Sequence, residues 1–188
     1  KGATAPVVFL LIVYFNQWEN TTAWVYLALH GSYGVMWVLK SKIFPDTTWE
    51  ATCSIWYGLY IWGGLTLYWI SPWIIMSGDV ANTPMYIGIC VAIFAMGVFF
   101  HYAADMQKHA YMKLQPGNLI TDGMMNRCRN TNYFGEFLIY LSFALLSRHW
   151  IPIAVLISFM IIIWLPNMRK KDKSLSRYPE YEEYKKRS

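Results

Sequence analysis

The chain has 188 residues, 56% of them hydrophobic and only 14% charged, with ten tryptophans and fourteen tyrosines, too apolar for an ordinary soluble domain. Its net charge of +5 comes without a basic groove or a recognisable nucleic-acid-binding motif. The charge therefore reads as orientation in a membrane and attraction to anionic lipid, and no nucleic acid is expected as a partner.

In chain order, residues 6–14 are apolar but short for a span. The chain opens on Lys1 rather than Met, so this first helix reads as processed or incompletely represented. Stretches of spanning length follow at about 22–39, 49–75, 85–102, 133–147 and 150–165, without long linkers or repeats between them. The expectation is an all-α, polytopic membrane bundle of about six transmembrane helices, one membrane domain over residues 1–188. With six spans, every one of the 16 basic residues except Arg148 falls on one side. The positive-inside rule then places both termini and loop 105–129 in the cytosol or the mitochondrial matrix. The endoplasmic reticulum, a bacterial inner membrane and the mitochondrial inner membrane all fit. Trp18, Trp24, Trp49, Trp69, Trp73 and Trp150 stand near predicted helix ends, as interfacial anchors do.

Several features have plain readings. Gly63, Gly64, Gly88 and Gly97 lie inside spans, where small residues allow close helix packing. Trp56, Tyr57 and Trp62 read as packing aromatics. Cys53, Cys90 and Cys128 have no partner at short spacing and the four histidines are scattered, so no zinc site is expected. His101 and Asp105, at i and i+4, read as a hydrogen-bonded pair at a helix end. In the tail, Tyr178, Tyr181 and Tyr184 form a helical stripe that lies on the membrane surface or closes over a cofactor, surface docking being preferred.

The segment richest in chemistry is Arg129-Asn130-Thr131-Asn132-Tyr133-Phe134-Gly135-Glu136. Ionisable groups within a membrane segment are costly and mark functional sites by default. Glu136 lies one helical turn beyond Asn132, so both side chains share a face and can grip one ligand. Gly135 leaves room for that ligand to approach the backbone. Just before this segment, Lys108, Lys113, Arg127 and Arg129 gather with Asp105 around two turns, Gln115-Pro116-Gly117-Asn118 and Thr121-Asp122-Gly123. Basic residues and loop amides suit phosphates, and carboxylates suit ribose hydroxyls or a carboxamide, a combination that fits a dinucleotide at the mouth of a helical bundle. A solvated basic loop at a membrane surface is the plainer alternative. No GxGxxG run is present, which excludes a Rossmann domain as the binding device.

From His101 onward the chain resembles the C-terminal domain of the steroid 5α-reductase family, above all its bacterial and organellar relatives. The resemblance is carried by His101-Tyr102-Ala103-Ala104-Asp105, Asp122-Gly123, Asn132-Tyr133-Phe134-Gly135-Glu136 and the tail from Leu165-Pro166 to Tyr184. It implies an integral-membrane reductase that uses NADPH to reduce a C=C bond conjugated to a carbonyl in an apolar lipid or steroid-like substrate. Asp105, Asn132 and Glu136 would contact the cofactor, with Tyr133 beside it, Arg129 facing a phosphate, Lys113 in the same loop and the adenosine end under the cytosolic loops. Residues 101–188 would be the cofactor region and helices 1–4, within 1–100, the donor and substrate side.

The resemblance also exposes departures. A His-Tyr pair on an earlier helix supplies the family's hydrogen-bond donor to the substrate carbonyl, with an arginine soon after. Here the match is His30-Gly31, and the arginine is missing. Tyr33 stands about 200° round the helix from Gly31; Tyr33, Tyr26 and His30 remain as candidates for the acid. On this register the reduction of a 3-oxo-4-ene steroid is expected to be slow or absent, and Gly31→Tyr to restore a phenol. The last helix has Pro166 and Lys170 near positions where the family carries an arginine and a histidine. Two alternatives follow: a retired reductase fold serving as a structural subunit among other membrane subunits, and an S-adenosylmethionine-dependent methyltransferase of the isoprenylcysteine methyltransferase architecture. The latter usually carries Arg-His-Pro where this chain has Arg129-Asn130-Thr131.

Overall fold

The computed structural model describes residues 1–46 and 52–188. Every regular element among these is helical: α1 (Thr4–Tyr14), α2 (Thr21–Ile43), α3 (Ile55–Thr66), α4 (Ile70–Ser77), α5 (Pro84–Leu114), α6 (Thr131–Leu146), α7 (Trp150–Phe159), α8 (Leu165–Leu175) and α9 (Tyr181–Arg187). A single tight turn, Leu67–Trp69, joins α3 to α4. Local chemistry sets the starts: the Asn20, Ser54 and Thr83 side chains accept from Ala23, Tyr57 and Tyr86 N–H, and Pro84 follows at a position where its missing N–H costs nothing. The α1–α2, α4–α5 and α6–α7 turns each contain one non-glycine residue of positive φ, Asn16, Asp79 and Arg148, the left-handed step that ends a helix sharply.

The helical segments Ile55–Ser77, Pro84–Leu114 and Trp150–Leu175 are long and apolar enough to cross a membrane. The six-span expectation is met only in part. The helical rods coincide with the six apolar stretches, but α1 and α6 have 11 and 16 residues, and α2, with 23, carries Lys40 and Lys42 in its last turn. The third expected stretch begins at residue 49, and Trp49 lies outside the described residues. At about 1.5 Å per residue the 31-residue α5 outreaches a hydrocarbon layer of about 30 Å, carrying Lys108 and Lys113 beyond it. Trp18, Trp24, Trp73 and Trp150 are exposed.

Between α7 and α8 the helix widens into a π turn, Met160–Trp164. Pro166 explains it: with no N–H to offer the carbonyl four residues earlier, and a ring that crowds it, the preceding turn opens instead of breaking. Trp164 is thereby turned inward and buried.

The bundle is organised around α5 and α6, its most extensively packed pair. Their axes meet at Gly97 and Gly135. A Cβ on Gly135 would stand 2.7 Å from Gly97 O and 2.8 Å from His101 Cα, and one on Gly97 2.8 Å from Gly135 O. The two backbones touch, as small residues permit in membrane bundles. The packing expected of Gly97 is found, whereas the ligand space expected at Gly135 is filled by α5. Gly63 and Gly88 face open space. Helix α2 lays a stripe of buried residues, Tyr26, His30, Tyr33 and Lys40 among them, at helical spacing, with Tyr26, His30 and Tyr33 against Phe143 of α6. The interior packing expected of Trp56, Tyr57 and Trp62 is not found among the described residues, where they are 80%, 57% and 63% exposed.

The tail is the other correction. Tyr181 and Tyr184 are buried against the chain instead of docking on a membrane surface, and the Tyr184 hydroxyl donates to Met125 O at 2.5 Å. The loop before α6 is fixed from α5 as well: the Gln107 amide donates to Asp122 O (3.0 Å) and accepts from Met124 N–H (2.8 Å), bracketing Gly123 at φ +53°.

Candidate active site

A polar cluster sits where α2, α5 and α6 meet. On α6, Asn132, Glu136 and Tyr140 follow at four-residue intervals and therefore share one face. The Glu136 carboxylate is ion-paired with Lys1 Nζ at 3.0 Å. The same ammonium lies 3.3 Å from the Tyr33 hydroxyl and over the Trp37 ring, 4.3 Å from its centroid. Tyr33 is fully buried, its ring edge-on to His101, Tyr102 and Tyr140. His30 bonds through Nδ1 to the Tyr26 hydroxyl at 2.8 Å and stacks on Phe143 with ring centroids 4.2 Å apart.

The His101–Asp105 pair is built differently from the sequence reading. His101 Nδ1 donates to the backbone carbonyl of Asn132 at 3.0 Å. Its Nε2 lies 3.7 Å from Asp105 Oδ2, beyond hydrogen-bond distance. Asp105 is instead ion-paired with Lys40 of α2. Among the described residues the Asn132 Oδ1, His101 Nε2 and Tyr102 hydroxyl are buried without a hydrogen-bond partner. Such groups are costly unless satisfied, and clustered ones point to a ligand or ordered water.

Beside Glu136 opens an apolar cavity of about 570 Å³ between α3, α6 and the α7–π-turn segment. Tyr60, Tyr68, Tyr140 and Trp164 line it, and Glu136 is the only carboxylate among its described lining residues. Tyr68 and Tyr140 stack with centroids 4.0 Å apart, and Tyr133 leans on Trp164 at 5.8 Å. The volume lies within the usual range for small-molecule sites, and a largely apolar wall with few polar groups is their usual composition.

Towards the basic end, a second cleft of about 370 Å³ runs between the 115–120 turn and the tail, lined among others by Lys108, Arg129, Lys171 and Arg177. Arg129 makes a two-pronged pair with Asp172 at 3.2 and 3.3 Å and donates to Ser188 O at 2.8 Å. Burial works against its charge, but the Asp172 bond and charge prevail and raise its pKa above the ordinary value. Lys171 Nζ donates to Arg129 O at 2.6 Å.

The expected residues thus divide. Asn132, Glu136 and Asp105 join one buried cluster with Tyr33, and Tyr133 stands beside the large cavity through Trp164. Arg129 lines the basic cleft but is engaged by the tail. Lys113 is exposed and lines neither cavity. Lys170 is exposed. The Cβ direction of Gly31 meets Ala5 of α1 at 3.2 Å, away from the cluster. The phenol that reaches the cluster belongs to Tyr33. Sequence reasoning missed Lys1 and Lys40 as the cations for Glu136 and Asp105, and Tyr68 and Trp164 as cavity walls. Tyr140 was readable, standing one turn beyond Glu136.

A family model described as protein of unknown function (DUF1295) matches residues 42–188. No curated protein matches the chain, and no solved structure does.

Proposed function

The chain belongs to the DUF1295 family, within the steroid 5-alpha reductase-like superfamily, and from that premise we propose that it is an integral-membrane, NADPH-dependent reductase of a C=C bond conjugated to a carbonyl. The observation that carries this reading is the buried, unpartnered Asn132 Oδ1 one turn from Glu136, which itself lines the apolar cavity. An amide and a carboxylate on one face suit a carboxamide, and the basic cleft beneath the 115–120 turn suits the phosphates and adenosine. When bound, NADPH supplies the hydride. The chain does the rest. Asn132 and Glu136 orient the carboxamide, the Tyr68–Tyr140 wall and Trp164 hold an apolar, lipid- or steroid-like substrate and exclude water, and the Tyr33 hydroxyl donates a hydrogen bond to the substrate carbonyl as negative charge develops there.

Truncating Glu136 to Ala is expected to weaken NADPH binding by about 1.5–3 kcal/mol, the worth of a charge-assisted contact. Glu136→Gln, which keeps a hydrogen-bonding partner for Lys1, guards against simple unfolding and should show a smaller loss. Titration of the purified protein in detergent with NADPH measures both. Unchanged affinity in the two variants removes Glu136 from the cofactor site.

A second reading, a reductase fold kept as a structural subunit, is favoured by the ion pair itself, since Lys1 already satisfies Glu136. A parent protein that binds no NADPH selects this reading; one that binds S-adenosylmethionine instead selects a methyltransferase.

The reading includes a six-span topology with both termini on the cytosolic or matrix side. Single cysteines at positions 118 and 180, in a background lacking Cys53 and Cys128, are expected to react with a membrane-impermeant maleimide from the same side. Labelling from opposite sides would refute the arrangement.

A further inference from the structure

The Lys40–Asp105 ion pair lies deep in the bundle, its side chains only 6% and 14% exposed. Buried ion pairs stabilise poorly, because desolvating two charges offsets much of their attraction. A packed apolar pair would serve stability at least as well, so what the charges touch is informative. Lys40 comes from α2, four residues short of the C-cap Phe44 and a little under two turns beyond Tyr33. Asp105 lies on α5 one turn after His101, with Oδ2 3.7 Å from His101 Nε2. His101 donates through Nδ1 to the carbonyl of Asn132. A carbonyl only accepts, so Nδ1 must carry a proton. The Asp105 carboxylate does not hydrogen-bond that imidazole; held by Lys40, it anchors α2 to the turn of α5 that presents His101.

The contact is cross-helical and rigid. His101 packs where Gly135 brings the α6 backbone against α5, and the imidazole is 5% exposed. The series Lys40, Asp105, His101, Asn132 O therefore links the helix that carries Tyr33 to the first turn of the helix that carries Asn132 and Glu136. We propose that Lys40 is a positioning residue of the cofactor face, acting through Asp105 and His101 to hold the Asn132–Glu136 turn in register with α2. The proposal rests on the reading of that face as a cofactor site, but the series has a signature that needs no ligand.

That signature is amide exchange. In detergent, Lys40→Met is expected to raise hydrogen–deuterium exchange in the 132–137 segment, while the 139–146 end of α6 keeps its protection. Lys40→Arg restores protection. Because Lys40→Met leaves the Asp105 carboxylate without its cation and risks unfolding, Lys40→Met with Asp105→Asn is the second variant, and it should show the same local loosening. His101→Asn keeps a donor near the Nδ1 position and should stay protected. His101→Phe should loosen the turn, and adding Lys40→Met to it should change nothing further. NADPH affinity should follow the same order, with about a tenfold loss for Lys40→Met. Raised exchange that is confined to the turn and reversed by arginine supports the proposal even if the parent binds no NADPH, a result that would sink the cofactor reading alone. Exchange that rises uniformly along α6, stays unchanged, or adds up in the His101→Phe background overturns it.

Discussion

Gly135→Ala is expected to prevent the bundle from assembling, although alanine is the better helix former. In an exposed helix interior the exchange would gain up to about 1 kcal/mol from propensity. Here the added methyl would stand 2.7 Å from Gly97 O and 2.8 Å from His101 Cα. Both are backbone atoms, so no side chain can rotate away. Relief requires α5 and α6 to separate along their whole contact, the largest in the fold, and overpacking of a far softer kind already costs about 1–3 kcal/mol. Separation would also pull His101 from Asn132 O. Gly97→Ala should behave alike, its methyl meeting Gly135 O at 2.8 Å.

The comparison that isolates the cause is Gly88→Ala, on the same α5, where nothing lies within 4 Å of the added atom. That variant should be neutral or gain a few tenths to about 1 kcal/mol. The monomer fraction in size-exclusion chromatography and the thermal midpoint in detergent report all three. A Gly135→Ala protein that purifies with the parent's midpoint would mean that α5 and α6 are not in backbone contact.

Local patterning made the helical rods legible. The Asn132/Glu136 pair was readable too, because four-residue spacing on a helix fixes a shared face whatever surrounds it. What surrounds it was not readable. Whether Gly135 makes room for a ligand or for a helix depends on what lies opposite, and that is α5 from more than thirty positions earlier. The same limit hid Lys40, whose partner lies 65 residues away, and turned Tyr181 and Tyr184 inward, since an amphipathic stripe does not say which apolar surface it covers. The π turn was half visible, as Pro166 foretells a disturbed turn but not one that widens and buries Trp164. Position 31 shows the hazard of matching one residue pair by register. His30 matched, yet the azimuth that faces the cluster is three residues on, at Tyr33, about 60° from His30, while position 31 faces α1.

That azimuth fixes the last expectation. With the phenol at 33 facing the cluster, the proposed reading expects the parent to reduce an apolar enone with NADPH, whereas a donor sought at 31 leaves that reduction slow or absent. Tyr33→Phe removes one hydroxyl and leaves the ring in its edge-on contacts with His101, Tyr102 and Tyr140, so the fold should survive. The lost donor is one whose hydrogen bond strengthens as the substrate oxygen gains charge, and losing such a donor costs about two to three powers of ten in rate. The fall should appear in kcat, with NADPH affinity nearly unchanged, because the hydroxyl bonds Lys1 and neither Asn132 nor Glu136 directly. Gly31→Tyr should not rescue it. A ring at 31 would press on Ala5, whose Cβ already lies 3.2 Å from the first added carbon, and the variant should lose stability by about 1–3 kcal/mol instead. Steady-state reduction of a 3-oxo-4-ene steroid by parent, Tyr33→Phe and the Tyr33→Phe/Gly31→Tyr pair, monitored by NADPH absorbance, tests the assignment. Parent-like turnover in Tyr33→Phe would remove the phenol from the chemistry and leave the Tyr26–His30 pair as the donor to test next.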